Sequence, residues 1–381
     1  MKNSRLYASN EEIMALHGLS GMGAIVGAAD GGYHSKTDAI ETVGGSNLTL
    51  DGQPIDEIWN EMQTRIAVFN QHSLAMIGLF SYTVDRAQDR VGVYANADFE
   101  EATEFGRPNK IRLQYVKRAF PLDHYDLGYG FTQEFLDDAR SDDIRNLAGT
   151  AENAWNNTRM DLVLGALFNN TNGTDEDGLV SKRLYNNDGE IPPAYRRWTH
   201  VGTHTHYLAS GAATLTKENF GTLQGHLTHH GYGENGETLI VLVNEAEMAT
   251  VRAFTNFVPS TSSSVPVVVN GQIVAQPSTS LPGGLRAEGT VGKLKVVEDN
   301  GIPAGYVVAF ATGGLFAAQN VIGLRVHANA SARGLRLVEG PKTRYPLVDA
   351  VYDGYAGAAV RHRGAAVVME ATAGAYSVPS L

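Results

Sequence analysis

Histidine is the residue type whose spacing in this sequence comes closest to a metal site. Six of the twelve histidines fall into two groups between residues 200 and 230: His200, His204 and His206, then His226, His229 and His230. On a helix, His226 and His230 would share a face at a spacing that zinc ligands use. However, no Glu stands between them as in zinc hydrolases, and Leu223 and Leu227 occupy the buried face. The sequence therefore favours ordinary, partly exposed histidines over a metal-dependent enzyme.

Three other motifs have the composition of a functional site without its context. Gly21 to Gly27 lacks the nucleotide-loop spacing, and residues 11–16 before it look helical, so no strand leads into the loop. Residues 172–178 have the composition of a calcium loop but neither its alternating ligands nor its closing Glu. Ser210 shows no nucleophile-elbow spacing. We therefore predict no catalytic residue, no metal ligand and no cofactor.

Charged residues at two places in the sequence indicate a contact surface. Residues 98–104 are acidic, and basic residues of a neighbouring subunit could pair with them. The candidates for contacts between subunits are Asp98, Glu100, Glu101, Glu104, Arg107, Lys117, Arg118, Arg361 and Arg363. Such charges fix register more than affinity, and each exposed pair contributes only about 0–1 kcal/mol. A solvated loop explains the acidic residues equally well.

The composition excludes several classes of protein. The chain has 381 residues, no cysteine and a formal net charge of −11. Disulfides and thiolate sites are therefore excluded, and no basic patch marks a dedicated nucleic-acid binder. The sequence predicts neither a secretion signal nor a membrane span. Only 19% of the residues are charged, which fits either burial in an assembly or large Gly-, Ser- and Thr-rich loops.

The first third of the chain predicts elements that need a partner. Residues 1–53 are glycine-rich with weak periodicity, which is typical of an arm that becomes ordered against another surface. Pro54 opens a helix that continues to Phe69. Residues 76–96 and 108–122 look extended and predict a long hairpin with a charged tip. Because a two-stranded hairpin is marginal alone in water, we expect it to lie on another subunit.

The rest of the chain predicts a long helix and then an α/β domain. Alternating residues from Tyr125 to Phe131 indicate a strand, and Ser141, Asp142 and Asp143 favour the start of a helix that spans Ile144 to Phe168. From about residue 199, the predicted features are a helix capped by Thr216 and ending at Gly231, a strand over Thr238–Val243, a helix capped by Asn244, a hairpin at Val267–Val274 turning at Asn270-Gly271, and strands near 305–310, 321–327 and 365–370.

This order of elements resembles the Hong Kong 97-like fold of tailed-bacteriophage major capsid proteins. The segments that carry the resemblance are Glu104–Pro108 with the strand from Ile111, Phe131–Asp138, Leu162–Gly178, Leu239–Phe254 with its Val243-Asn244 step, Val291–Val297, Gly305–Phe310 and Arg361–Ala371. They cover nearly the whole chain, and their specificity lies in their order and spacing.

The resemblance implies an α+β fold with defined regions. Residues 1–53 would be an N-terminal arm, 54–75 a joining helix and 76–120 an extended β-hairpin loop. Residues 121–198 would form a peripheral domain with a long spine helix. Residues 199–381 would form an α/β axial domain, with an insertion at about 257–293 and a closing strand that returns near the peripheral domain.

The resemblance also implies a function. The chain would be a structural protein that assembles into hexamers and pentamers, forming an icosahedral virion shell in the bacterial host cytoplasm. Its partners would be copies of itself, a separate scaffolding protein, a portal, a decoration protein, and double-stranded DNA held without sequence-specific contacts; no membrane is involved. Two alternatives stay open: an encapsulin-type compartment shell, which shares this fold, and a metal-dependent enzyme built on the histidine groups.

Overall fold

The structure, a computed structural model, describes residues 49–71, 75–93, 114–132, 135, 138–261, 267–269, 272–277, 281, 284–339 and 347–381. The predicted arm before residue 49 and the predicted hairpin tip at 94–113 lie outside these ranges. Within them, no helix combines the length and the apolar character needed to cross a membrane.

In chain order, the described elements are α1 (Ile55–Gln71), α2 (Ala75–Phe80), β1 (Ser81–Val84), β2 (Gln88–Val93), β3 (Gln114–Ala119), β4 (Asp123–Thr132), α3 (Ser141–Phe168), β5 (Gly173–Thr174), β6 (Val180–Ser181), β7 (Tyr207–Ala209), α4 (Lys217–Thr228), β8 (Thr238–Val243), α5 (Glu245–Arg252), β9 (Phe257–Thr261), β10 (Val267–Val269), β11 (Gln272–Pro277), β12 (Gly289–Val291), β13 (Leu294–Glu298), β14 (Tyr306–Thr312), β15 (Ile322–Arg325), β16 (Leu335–Glu339), β17 (Leu347–Val360) and β18 (Ala366–Glu370).

The chain divides into two compact units, each built from separate segments. Unit 1 comprises the described parts of Met1–Ser73, together with Asp123–Thr158 and Val326–Ala356. Unit 2 comprises the described parts of Leu74–Leu122, Arg159–Arg325 and Gly357–Leu381. The predicted boundary at residues 198 and 199 falls inside unit 2. Residues 326–356 belong to unit 1, whereas the sequence predicted them to be part of the axial domain.

Unit 1 is organised by the long strand β17. Its first ten residues pair antiparallel with β4, from Leu347 opposite Thr132 to Ala356 opposite Asp123. Strand β16 pairs antiparallel with the other edge of β17. Helix α1 packs against β16 and buries Ile58, Trp59, Met62 and Ile66, which recur at helical spacing. The side-chain amide of Asn70 makes two hydrogen bonds to the Leu335 backbone, at 2.8 and 2.9 Å, and so fixes the end of α1 on β16.

Unit 2 is organised by a mixed nine-stranded sheet in the order β10-β11-β9-β12-β13-β8-β14-β18-β7. Strand β14 lies between β8 and β18, antiparallel to both, and all seven of its residues are buried. A strand that is covered on both faces has a nearly continuous apolar sequence, as this one does. Helix α4 packs against β14 and β18 and buries Phe220, Leu223 and Leu227. These contacts place the carboxyl end of α4 next to the strand-end loops of this sheet.

Most predicted elements are present with small shifts at their ends. Helix α3 ends at Phe168, as predicted, and begins at Ser141, three residues before the predicted start at Ile144. The predicted caps are confirmed: Thr216 accepts a hydrogen bond from the Asn219 backbone, and Asn244 accepts one from the Ala246 backbone. Helix α4 ends at Thr228, three residues before the positive-φ Gly231. The strands of the predicted hairpin at 267–274 pair antiparallel, while its turn lies outside the described residues.

Two sequence predictions need correction. Residues 76–80 were expected to be extended, but Ala75–Phe80 is a short helix in which residues 77–80 are buried. A short apolar run carries no periodicity that distinguishes helix from strand. Strands β16 and β17 were not predicted. The second half of β17 is rich in Ala and Gly, which have low strand propensity. One of these glycines is required by packing, because a Cβ at Gly354 would lie 2.5 Å from the Trp155 ring.

Candidate subunit interface and a buried histidine cluster

The hairpin formed by β2 and β3 is the first candidate contact surface. Six residue pairs join its strands, from Gln88 opposite Ala119 to Val93 opposite Gln114. Among the described residues it forms a sheet of its own, with no third strand. Val91 is buried, whereas Tyr115 is 56% exposed. A two-stranded sheet with an exposed aromatic side chain gains stability when a partner surface covers it.

A buried ion network anchors the base of this hairpin within unit 2. Arg118 of β3 is buried and contacts Glu190 at 2.9 Å. Arg363 contacts the same Glu190 at 2.8 Å and Asp188 at 3.1 Å, while Lys182 contacts Asp188 at 2.5 Å. Two carboxylates are thus shared among three cations. The network ties β3 to the loop after β6 and to the turn between β17 and β18.

All five N–H groups of Arg363 have acceptors. Its Nε donates to the Arg183 carbonyl oxygen, Nη1 donates to Asp188 and Glu190, and Nη2 donates to the Leu184 carbonyl oxygen and to Asn186, at distances from 2.7 to 3.1 Å. The side chain is fully buried, so this complete pairing is what makes burial of its charge tolerable. Its guanidinium also lies 4.6 Å from the centroid of the Tyr185 ring.

The charges of the network control the ionisation of its carboxylates. Burial alone raises the pKa of Asp188, but hydrogen bonds from Lys182 and Arg363 outweigh burial and hold this pKa well below its usual range. Burial also raises the pKa of Glu190, but the hydrogen bond from Arg118 outweighs burial, so the pKa of this carboxyl is lowered as well. Both carboxylates are therefore charged at neutral pH.

The structure separates the predicted contact residues into groups. Asp98, Glu100, Glu101, Glu104 and Arg107 lie outside the described residues. Lys117 is exposed on β3.

Three predicted contact residues are engaged within their own chain. Arg361 contacts Asp89 at 3.4 Å and lies over the Tyr82 ring. Arg118 and Arg363 are buried in the ion network, so we reassign these two from subunit contacts to anchors of the hairpin. Sequence reasoning missed their partners Asp188 and Glu190, because nothing in the local pattern connects residues that are 72 to 175 positions apart.

Exposed apolar side chains mark two surfaces, one of which lies beside the hairpin. A cavity of about 550 Å³ is lined by residues of β2 and β3 and by the loop around Ile191. Ile191 is 65% exposed, although it is a large aliphatic residue. A second exposed apolar surface is the hairpin of β10 and β11, where Val267, Val268, Val269 and Ile273 are each 41–56% exposed. Clustered exposed apolar residues mark interaction surfaces, and uncovered apolar edge strands invite aggregation.

The six histidines of residues 200–230 converge in unit 2. They form two overlapping groups: in one, ring nitrogens of His200, His204, His229 and His230 lie within 4.8 Å of one another, and in the other those of His204, His206, His226 and His229 do. The Nε2 atoms of His204, His206 and His230 are mutually 3.0–3.1 Å apart. The expectation of partly exposed, ordinary histidines is wrong for His206, which is fully buried.

Burial and mutual repulsion keep the rings of this cluster neutral. Burial first, and neighbouring histidines second, lower the pKa of His204 and of His226 to about 4 and that of His229 to about 3. The pKa values of His206 and His230 are lowered well below their usual range for the same reasons, and burial also lowers that of His200. At neutral pH each ring therefore has one nitrogen with a free lone pair.

The cluster and the ion network share the ring of Tyr185. This ring stacks on His230, with centroids 5.5 Å apart and an angle of 23° between the planes. Burial raises its pKa to about 12, so it is a neutral partner for both groups. The backbone helps to hold the arrangement, because the N–H of His206 donates to the Tyr185 carbonyl oxygen at 2.7 Å.

Comparison with solved structures finds similarity to this chain at several levels of sequence identity. A structure from Mycobacterium phage Patience shares 31% identity over 87% of this chain and 93% of that chain, with a TM-score of 0.63. The capsid of an empty GTA particle shares 15% identity over 78% and 90% of the two chains, with a TM-score of 0.47. The SrpI encapsulin complex of Synechococcus elongatus shares 12% over 80% and 89%, with a TM-score of 0.44.

These likenesses differ in weight. The GTA and encapsulin structures are too distant to separate a phage capsid from an encapsulin. No protein-family model and no curated protein matches the sequence. The 31% identity with the phage structure extends over most of both chains and agrees with the order of motifs in the sequence. The chain therefore belongs to the major capsid proteins of bacteriophages.

Proposed function

We propose that this chain is a structural protein that assembles into hexamers and pentamers, which form an icosahedral head around double-stranded DNA. The observation that carries the proposal is the β2–β3 hairpin. Its base is fixed by buried charges, while Tyr115 and the neighbouring Ile191 are exposed apolar groups without cover in the described part of the chain. A rigidly anchored, exposed hairpin is suited to contact a neighbouring copy, since identical subunits in a closed lattice present the same surfaces repeatedly.

Within the Hong Kong 97-like organisation, we propose residues 1–53 as the arm, 54–75 as the joining helix and 76–120 as the extended loop. Residues 121–198 are proposed as the peripheral domain and 199–381 as the axial domain. We amend this division in one respect: residues 326–356 are assigned to the peripheral domain, because they cluster with residues 123–158 and their last ten residues pair with β4. The exposed valines of the β10–β11 hairpin, in the insertion, are proposed to meet their counterparts around the capsomer axis.

The proposed partners follow from this role. They are copies of the chain, a separate scaffolding protein, a portal, a decoration protein, and DNA held without sequence-specific contacts. The proposed location is the virion, after assembly in the bacterial host cytoplasm. For contacts between subunits we keep the acidic tip (Asp98, Glu100, Glu101, Glu104), Arg107 and Lys117. Arg361 stays in this proposal with its Asp89 pair, because an 11% exposed side chain can still meet a neighbour.

Assembly of the full-length protein tests the proposal. We expect shells by size-exclusion chromatography and negative-stain electron microscopy when the chain is expressed alone or with a phage scaffolding protein. A chain that stays monomeric or dimeric under both conditions contradicts the shell function. Nucleic acid inside particles made during infection supports a phage head, whereas protein cargo without nucleic acid favours the encapsulin alternative.

A substitution at Ile191 tests the proposed contact surface. We expect Ile191→Asp to abolish assembly while leaving the unfolding midpoint of the unassembled chain unchanged, because this side chain is mostly exposed. Val378→Asp is the matched control, since Val378 is also an exposed apolar residue (45%) and does not line the cavity beside the hairpin. Shells formed equally well by both variants would remove this surface from the proposal.

A further inference from the structure

Three nitrogen atoms at the centre of the histidine cluster face one another. The Nε2 atoms of His204, His206 and His230 form a triangle with sides of 3.0–3.1 Å. Each neutral imidazole nitrogen is either a donor or an acceptor of one hydrogen bond. In a triangle, at least two of the three atoms must be of the same kind. No placement of protons therefore turns all three contacts into hydrogen bonds.

The tautomer of His206 follows from its other nitrogen. Its Nδ1 lies at hydrogen-bond distance from the Ala366 carbonyl oxygen, which can only accept. Nδ1 therefore carries the proton, and the lone pair of Nε2 points into the triangle. A histidine that donates one N–H to a backbone carbonyl and presents its other nitrogen as a lone pair has the usual arrangement of a metal ligand.

Further ring nitrogens of the cluster are buried and find no hydrogen-bond partner among the described residues. They are Nε2 of His200, Nδ1 of His226 and Nε2 of His229. Buried polar atoms nearly always have partners, so several orphaned nitrogens at one place indicate a missing group. His229 belongs, with His204, to both overlapping groups of ring nitrogens, which makes it the best placed of these residues to add a fourth ligand.

We propose that this cluster binds one divalent late first-row transition metal ion, of which Zn²⁺ is the reference, through His204, His206 and His230, with His229 as the fourth ligand. Imidazole nitrogen suits Zn²⁺, Cu²⁺ and Ni²⁺, whereas Mg²⁺ and Ca²⁺ require oxygen ligands. With Zn–N bonds of 2.0–2.1 Å, the nitrogens of a tetrahedral site are separated by about 3.3 Å. The observed 3.0–3.1 Å triangle needs only a small expansion to accept the ion.

The residues around the cluster support this site. Gly364 leaves room for one ligand, because a Cβ there would lie 3.0 Å from the His230 ring. His230 also lines the cavity beside the β2–β3 hairpin, which gives solvent a route to the site.

The proposed ion has a structural role. His204 and His206 precede β7 at the end of the nine-stranded sheet, whereas His229 and His230 follow α4. An ion held by all four joins two segments that are more than 20 residues apart in the sequence. Four protein ligands complete a tetrahedral site and leave no position for substrate. The ion thus links two segments of a chain that has no cysteine for a disulfide. This proposal does not rest on the proposed shell function.

Metal content of the full-length protein tests the proposal. The protein is prepared without a polyhistidine tag, stripped with a chelator and dialysed against Zn²⁺, and its zinc is measured by mass spectrometry. We expect one ion per chain and a higher thermal unfolding midpoint. His204→Gln is expected to lose both, and His124→Gln, which removes an exposed histidine of unit 1, to keep both. No zinc on the wild-type chain, or equal zinc on His204→Gln, overturns the site.

Cobalt provides a second measurement that does not depend on how the variants fold. Co²⁺ added to the stripped wild-type chain is expected to give the intense visible bands of tetrahedral nitrogen coordination, and Zn²⁺ is expected to abolish them. The weak spectrum of hydrated octahedral Co²⁺ overturns the proposal. The cobalt spectrum tests only the metal site, whereas size-exclusion chromatography tests assembly. Failure of one proposal can therefore be distinguished from failure of the other.

Discussion

The Arg363 network and the histidine cluster are two buried polar groups that contact the same Tyr185 ring. In the network, every N–H of Arg363 has an acceptor, and two carboxylates pair with three cations; among the described residues, the Nε of Arg118 is the network's one buried atom without a partner. In the cluster, six neutral rings converge, and three of their buried nitrogens have no partner in the described part of the chain. A buried polar group that is fully paired is complete as it stands. Several buried nitrogens without partners in one place call for an explanation, and the proposed ion supplies one.

Removing Arg363 gives the largest expected effect. Arg363→Met keeps much of the side-chain volume but removes the fully buried cation that Asp188 and Glu190 share, and these two carboxylates are themselves only partly exposed. We expect a loss of about 3–5 kcal/mol in the free energy of unfolding, the usual cost of removing one partner of a buried ion pair. Denaturant unfolding of the unassembled chain measures it. Arg286→Met is the control, because Arg286 is exposed in the same unit. A loss no greater than in the control would show that the network contributes nothing net.

The histidine cluster is expected to respond to added metal instead. At free Zn²⁺ about 100 times the dissociation constant, the wild-type chain should gain about 2.7 kcal/mol in unfolding free energy by mass action. His204→Gln should gain nothing, and Mg²⁺ should have no effect on either chain. The same denaturant titration with and without metal measures this gain. Equal stabilisation of the wild type and His204→Gln would place any bound zinc elsewhere.

Acid should weaken the ion network with a definite sign. The pKa of Asp188 is lower in the folded chain than the ordinary value of about 3.9 in the unfolded chain. Its contribution is therefore fully present above about pH 4 and is lost as the pH falls through the folded-state pKa. Wild type and Asp188→Asn should differ in unfolding free energy at pH 7, and the difference should shrink at pH 3. A difference that does not change with pH would contradict this assignment.

Local patterns predicted most elements of the fold but not the partners of buried charges. Thr216 and Asn244 cap their helices through neighbours two or three residues away, so the sequence identifies both caps. Strand β17 was missed because its Ala and Gly residues are selected by packing against β4 and Trp155. The spacing of the histidines suggested a metal site, yet the absence of an intervening Glu argued against one. That absence bears on catalysis and says nothing about a structural ion.

The sequence by itself determined the order of most elements, the absence of cysteine, and the family resemblance that the phage structure confirmed. Only the tertiary structure decided which charged and titratable groups are buried together. Arg363 and Asp188 are separated by 175 residues, and His204 and His230 by 26. Helical and strand periodicity follow from contacts over a few residues, whereas burial and pairing depend on which distant segments pack together. The two polar groups around Tyr185 therefore became visible only in the folded chain.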